Sequence, residues 1–221
     1  MNKLQNIPML AAVPTEILAS PRLRWSERLC GAGQLVIDRE SSDHSVVFVR
    51  DGAFIAVYWT ETGRELTFSR IGPGDYFGEL AALDEGPRSI SIYAQIPSRV
   101  VVIEGESFLW LVDEVPAFRA RLLRDLTGRI RSLTKRLTEM VSQNVDQRVR
   151  GYLMRLALEQ GVCQPDGVIH DTPTHAEIAS YIGTNREAVS RVISELQKTG
   201  VINAGRQRLT ILSPDALELT L

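Results

Sequence analysis

Cysteine is scarce in this chain. Cys30 and Cys163 are the two in 221 residues, far apart and without paired spacing. That excludes a disulfide framework, a paired-cysteine zinc module and an iron–sulfur cluster, and it fits a reducing compartment. Histidine is almost as rare. His170 and His175 stand near Cys163, but with no second Cys and no His partner at helical spacing, so they read as loop and helix-cap residues and no metal is expected. No apolar run approaches membrane length. Met1 to Pro14 holds one Lys and a short apolar stretch broken by Pro8 and Pro14, too weak for a signal peptide. The expectation is a soluble, cytoplasmic protein with no membrane partner.

An excess of positive charge is missing too. The 25 Lys and Arg against 27 Asp and Glu leave a net charge of −2, so affinity for nucleic acid must come from local asymmetry. Such asymmetry exists. From Pro116 to Met140 the cations Arg119, Arg121, Arg124, Arg129, Arg131, Lys135 and Arg136 face only Asp125 and Glu139. A content of 44% hydrophobic and 24% charged residues is ordinary for a globular chain, and the length suggests two domains.

Between Trp25 and Glu104 the sequence reads as short strands rich in Val, Ile and aromatics: Arg24 to Cys30, Leu35 to Asp38, Ser45 to Arg50, Ala53 to Thr60, Arg64 to Ile71, Ser89 to Gln95 and Arg99 to Glu104. Turn signals separate them at Asp51-Gly52, Glu61-Thr62-Gly63 and Ile96-Pro97-Ser98. Strands at this spacing predict an antiparallel barrel or sandwich. Short helical patches, Met9 to Val13 and Thr15 to Ala19, precede it.

The segment Gly72 to Ser89 interrupts the strands and has the chemistry to hold a small anion carrying a sugar. Gly72, Pro73 and Gly74 force turns, and Gly78 opens a short helix, Glu79 to Leu83, whose first amides, through Leu80, lack intrahelical partners and suit a phosphate. Arg88 supplies a permanent planar cation and Ser89 a hydroxyl. Glu79 offers a carboxylate to a ribose hydroxyl.

After Glu104 the period lengthens. Glu106 to Glu114 predicts a helix ended by Pro116, and a long helix follows from about Ala117 to Gln143. Along it Leu123, Leu126, Ile130, Leu133, Leu137 and Met140 recur at alternating steps of three and four, the seam of a parallel homodimeric coiled coil. Val145 to Gln160 is the next helix, and a loop from Val162 to Asp171 follows.

The C-terminal part reads as a DNA-binding unit. Thr174 with Glu177 forms a capping box opening His175 to Tyr181, Gly183 makes a corner, and Asn185 caps a second helix from Arg186 to about Lys198. Val201 to Ile202 and Leu209 to Leu212 flank a hairpin wing. This is a winged helix-turn-helix. The outer face of its second helix carries Arg186, Glu187, Ser190 and Arg191, which suit base edges in a G·C-rich major groove. From Arg186 to Arg208 five cations oppose two anions.

At Gly78, Glu79, Arg88 and Ser89 the chain resembles the phosphate-binding cassette of cyclic-nucleotide-binding domains. Asn-Arg-Glu-Ala-Val-Ser-Arg, from Asn185, resembles the recognition helix of the same family, the catabolite activator (cyclic AMP receptor)/fumarate-nitrate regulators of bacterial transcription. The resemblance implies that Glu79 holds the ribose 2′-hydroxyl and that Arg88 and Ser89 hold the cyclic phosphate, with Gly78 and Leu80 beside them. It implies that Arg129 holds the Glu79 carboxylate. It places the family's base-reading Thr-Ser pair on Leu133 and Thr134, so Thr134 alone can hydrogen-bond a base. For DNA it implies that Arg186, Glu187 and Arg191 read a TGTGA-like half-site, with Thr174, Asn185, Arg206 and Arg208 on phosphates.

The fold expected is α+β: a jelly-roll-like antiparallel β-barrel sensor over residues 1–115, a dimerisation helix over 116–143 and a winged helix-turn-helix over 144–221. The function expected is a homodimeric regulator that binds cyclic AMP, or cyclic GMP, and then a palindromic DNA site, with RNA polymerase as a further partner. A rival is the same architecture answering to another effector or to none. Relatives of that kind tend to lose the cassette Glu and Arg-Ser, which this chain keeps. No Ser/His/Asp constellation points to an enzyme.

Overall fold

Val46, Val47, Phe48 and Val49 form an unbroken apolar run, and the strand they build, Val46–Asp51, is buried on both faces. Its period of two sends Val47 and Val49 into one core and Val46 and Phe48 into another. The structure, a computed structural model, describes residues 3–59 and 65–217. The turn expected at Glu61-Thr62-Gly63 lies outside them.

In chain order the first eight strands are β1 Trp25–Cys30, β2 Leu35–Ile37, β3 Val46–Asp51, β4 Phe54–Trp59, β5 Glu65–Ile71, β6 Tyr76–Phe77, β7 Ser91–Ala94 and β8 Ser98–Ile103. They form two four-stranded antiparallel sheets of order β1-β8-β3-β6 and β2-β7-β4-β5. That is jelly-roll order. Among the described residues no ladder joins one sheet to the other, so the expected barrel is an open, two-sheet sandwich. Its interior is packed by Cys30, Ile37, Val47, Val49, Phe54, Phe77, Ile92 and Val100.

The outer face of the β3 sheet is covered by helical segments. Residues Lys3–Asn6 and Pro8–Leu10 are 3-10 turns, followed by α1, Thr15–Leu18. They pack with α3, Gly105–Glu114, and the first turns of α4, Pro116–Ser142, around Phe48, Phe108 and Phe118. The Phe108 and Phe118 rings meet edge to face at 5.7 Å. Between β6 and β7 lies α2, Glu79–Asp84.

The chain divides into two compact units between Arg129 and Ile130, within α4. The second unit contains α5, Val145–Glu159; β9, Gly167–His170; α6, His175–Ile182; α7, Arg186–Lys198; β10, Ile202–Gly205; and β11, Arg208–Ile211. Three capping side chains set its helix starts: Asn144 accepts from Gln147 N, Thr174 from Glu177 N and Asn185 from Ala188 N. The wing is a three-stranded sheet of order β10-β11-β9. Strand β9 falls in the segment expected to be a loop. It is held there by pairing with β11 and by burial of Ile169.

Along α4 the side chains of Leu123, Ile130, Leu133, Leu137 and Met140 are exposed, from 45% to 63%. Leu126, the sixth residue of the expected seam, differs: it is half-buried and packs on the core around Phe108 and Phe118, while the other five are not covered by their own chain. No helix among the described residues is long and apolar enough to cross a membrane.

Candidate functional site

The cassette is built by one left-handed glycine and one locked arginine. Gly78, at φ +90°, turns the chain from β6 into α2. A Cβ there would stand 2.6 Å from Arg88 Nη1 and 2.8 Å from the Ser45 carbonyl oxygen, so only glycine lets the segments approach this closely. Arg88 is 4% exposed. Its Nη1 donates to the Gly78 carbonyl at 2.8 Å, and its Nη2 donates to the Ser45 carbonyl at 2.8 Å and to Asp43 Oδ2 at 3.3 Å. Its Nε is buried with no hydrogen-bond partner among the described residues. Burial lowers the Arg88 pKa while Asp43 opposes that shift. Asp43 is opposed by its own burial, yet Ser45 and Arg88 hold its carboxyl below the usual range.

Glu79 begins α2 and is 5% exposed. Its Oε1 accepts from Arg129 Nη1 at 3.0 Å. Burial raises the Glu79 pKa, and the Arg129 cation opposes it. Leu80 and Ser89 are exposed. Gly78, Glu79, Arg88 and Arg129 are thus brought together in the first unit. Thr134 belongs to the second unit, where its hydroxyl donates to the Ile130 carbonyl at 3.0 Å. Sequence reasoning missed Asp43, Ser45, Tyr76 and Asp125. Asp43, Ser45 and Asp125 reach the cassette from far along the chain, and Tyr76, although inside the Gly72 to Ser89 segment, has its partner Asp125 49 residues away.

In the second unit, α6 and α7 meet at Gly183, in the left-handed region at φ +69°. On α7 the side chains of Arg186, Glu187 and Arg191 are exposed, and none forms an ion pair among the described residues. Ser190 is half-buried, with its Oγ 2.8 Å from His175 Nδ1, so it ties the two helices together. Asn185 caps α7 through Ala188 N at 2.8 Å. The Thr174 hydroxyl donates to Glu177 Oε2 at 2.9 Å in its capping box. Arg206 and Arg208 stand exposed at the tip of the β10-β11 hairpin. Arginines on one helix face and on a wing have the fork geometry for base edges and phosphates.

A jelly-roll sandwich with this cassette and a separate winged helix-turn-helix together define a transcription regulator that carries a small-molecule sensor. Comparison with known proteins agrees. Residues 27–115 match the cyclic nucleotide-binding domain, and residues 147–220 match the Crp-like helix-turn-helix domain. The cyclic AMP receptor protein of Thermus thermophilus is 33% identical over 156 residues, covering 71% of this chain and 69% of that protein. A CRP-like cAMP-activated global transcriptional regulator of Mycobacterium tuberculosis is 31% identical and covers 70% of each chain. A CooA variant from Carboxydothermus hydrogenoformans superposes with a TM-score of 0.78 over 98% of this chain and 94% of its own, at 20% identity, which shows the shared fold. The chain belongs to the cyclic AMP receptor protein/fumarate-nitrate regulator family.

Proposed function

We propose that this protein is a homodimeric transcription regulator that binds cyclic AMP and, so loaded, a palindromic TGTGA-like DNA site. The observation that carries the nucleotide half is Arg88. A permanent cation is buried, two of its nitrogens are fixed by backbone carbonyls, and Nε has no partner among the described residues. A buried unpaired donor on a cation calls for an acceptor, and the cyclic phosphate supplies one. Around it Gly78, Leu80 and Ser89 complete the phosphate contacts, Glu79 receives the ribose 2′-hydroxyl, and Arg129 holds Glu79. Thr134 reads the base without help from Leu133, so cyclic GMP is the competitor to test beside cyclic AMP.

The exposed seam of α4 supports the dimer, because a second copy buries the same residues in a coiled coil. The paired α7 helices then present Arg186, Glu187 and Arg191 to two half-sites, with Thr174, Asn185, Arg206 and Arg208 on the backbone. RNA polymerase is the further partner of such a regulator. Nucleotide acts by population shift, in proportion to its differential affinity for two arrangements of the dimer.

Calorimetric titration of the wild type and of Arg88→Leu with cyclic AMP tests the reading. The wild type binds and the variant does not. A variant that binds as well as the wild type overturns the assignment.

A further inference from the structure

The Glu79–Arg129 pair is set by two residues to which the sequence analysis gives no role, Tyr76 and Asp125. Tyr76, buried on β6, donates from its hydroxyl to Asp125 Oδ2 at 2.6 Å. Asp125 lies one turn before Arg129 on α4, and the same oxygen accepts from Arg129 Nε at 3.0 Å. The guanidinium lies over the Tyr76 ring, 4.4 Å from its centroid. Its remaining nitrogens reach Glu79 Oε1 at 3.0 Å and the Tyr76 carbonyl at 3.2 Å. Arginine donors form a rigid planar fork, so holding Nε decides where Nη1 points.

We propose that Tyr76 and Asp125 are positioning residues of the nucleotide site: they lock Arg129 onto Glu79 and so keep that carboxylate aimed to accept from the ribose 2′-hydroxyl. The proposal rests on the nucleotide reading above. The groups facing Glu79 are Arg129 and Asp125 from α4, Arg88 from the segment after α2 and Tyr76 from β6. Burial raises the Glu79 pKa, Arg129 is the strongest influence against it, Asp125 adds to the rise and Arg88 opposes it. The Tyr76 pKa is itself pushed up, by burial and by the hydrogen bond to Asp125, so the hydroxyl stays a donor.

Removing the Tyr76 hydroxyl leaves the ring under Arg129 but takes away the bond that fixes the Asp125 carboxylate in place. The arginine is then held less firmly. The Glu79 carboxylate, whose Oε1 that arginine holds, is then aimed less well, and the site's preference for a ligand that brings a hydroxyl donor falls.

The test compares the wild type, Tyr76→Phe and Asp125→Asn by calorimetric titration with cyclic AMP and with 2′-deoxy cyclic AMP. The wild type favours cyclic AMP by about tenfold, the worth of a hydrogen bond to a charged acceptor. In both variants the ratio falls to about twofold, while affinity for the deoxy analogue is unchanged. General damage to the fold would weaken both nucleotides together. Carboxyl carbon NMR of the ligand-free proteins supplies a second readout, with the Glu79 titration midpoint moved upward in Tyr76→Phe, which keeps the Asp125 charge in place. An unchanged ratio with an unchanged midpoint overturns the positioning role. A wild type that binds neither nucleotide overturns the nucleotide reading, and with it the role built upon it.

Discussion

Arg155 on α5 clasps Glu139 on α4, with Nη2 donating to both carboxylate oxygens at 3.1 and 3.2 Å. Its Nη1 donates to the Tyr181 hydroxyl on α6 at 2.9 Å, and Arg136 stacks over the Tyr181 ring at 5.0 Å. Three helices of the second unit therefore converge on one cation. Both partners of the ion pair are about a quarter exposed or less, so the pair is desolvated further than a surface bridge. Arg155→Met leaves Glu139 and the Tyr181 hydroxyl without this donor. The expected cost is about 1–3 kcal/mol of the second unit's stability, measured by urea unfolding. Tyr181→Phe should lose less, because it removes one neutral hydrogen bond and keeps the ring.

Gly78→Ala sets a methyl against a backbone oxygen that cannot move aside and adds strain at a left-handed φ. A cost of about 1–3 kcal/mol to the first unit is expected. Nucleotide affinity should fall with it, because Arg88 Nη1 must shift to make room. Thermal unfolding and calorimetry on the same sample check both effects. A variant that keeps wild-type affinity would show that the tight approach is unrelated to binding.

Glu79 predicts a pH dependence with a definite sign. Its folded pKa lies above the unfolded value, chiefly through burial, so its contribution to stability is full below about pH 4.3 and is lost as pH rises through the raised value. Asp43, with a depressed value, contributes in the opposite sense and loses its contribution as pH falls. Glu79→Gln isolates the first effect. Its stability relative to the wild type should rise across the mildly acidic range and then level off. A difference independent of pH would contradict the account.

Much of this architecture is legible locally. The strands alternate or run apolar between turn signals, and the capping side chains at Thr174 and Asn185 announce α6 and α7 within a residue or two of their observed starts. Gly78, Arg88 and Glu79 are legible because the cassette is continuous in sequence. What was hidden lies across the chain. Strand β9 has four residues, and it becomes a strand because β11 pairs with it. Asp43 and Ser45 show a local turn, in which Asp43 Oδ1 accepts from Ser45 N, but nothing in that pattern foretells that they hold Arg88. Tyr76 and Asp125 are 49 residues apart, and only the folded sandwich brings them together. Ser190 sits on the expected DNA face by helical spacing, yet its hydroxyl turns to His175.

The winged helix makes separable predictions. Arg186→Ala and Arg191→Ala should each cost about 1–3 kcal/mol on the preferred duplex and relax sequence preference. Arg206→Ala, on the wing, should weaken all duplexes alike and lower the salt slope by about one. Titrations of specific and scrambled duplexes at several salt concentrations distinguish the two patterns.

The most direct measurement is fluorescence anisotropy of a labelled palindromic TGTGA-type duplex titrated with the protein, with no nucleotide, with cyclic AMP and with cyclic GMP, at fixed salt. The expected result is that cyclic AMP tightens binding about tenfold or more, a coupling of about 1.4 kcal/mol between the cassette and the recognition helices. Equal binding under all three conditions would contradict it.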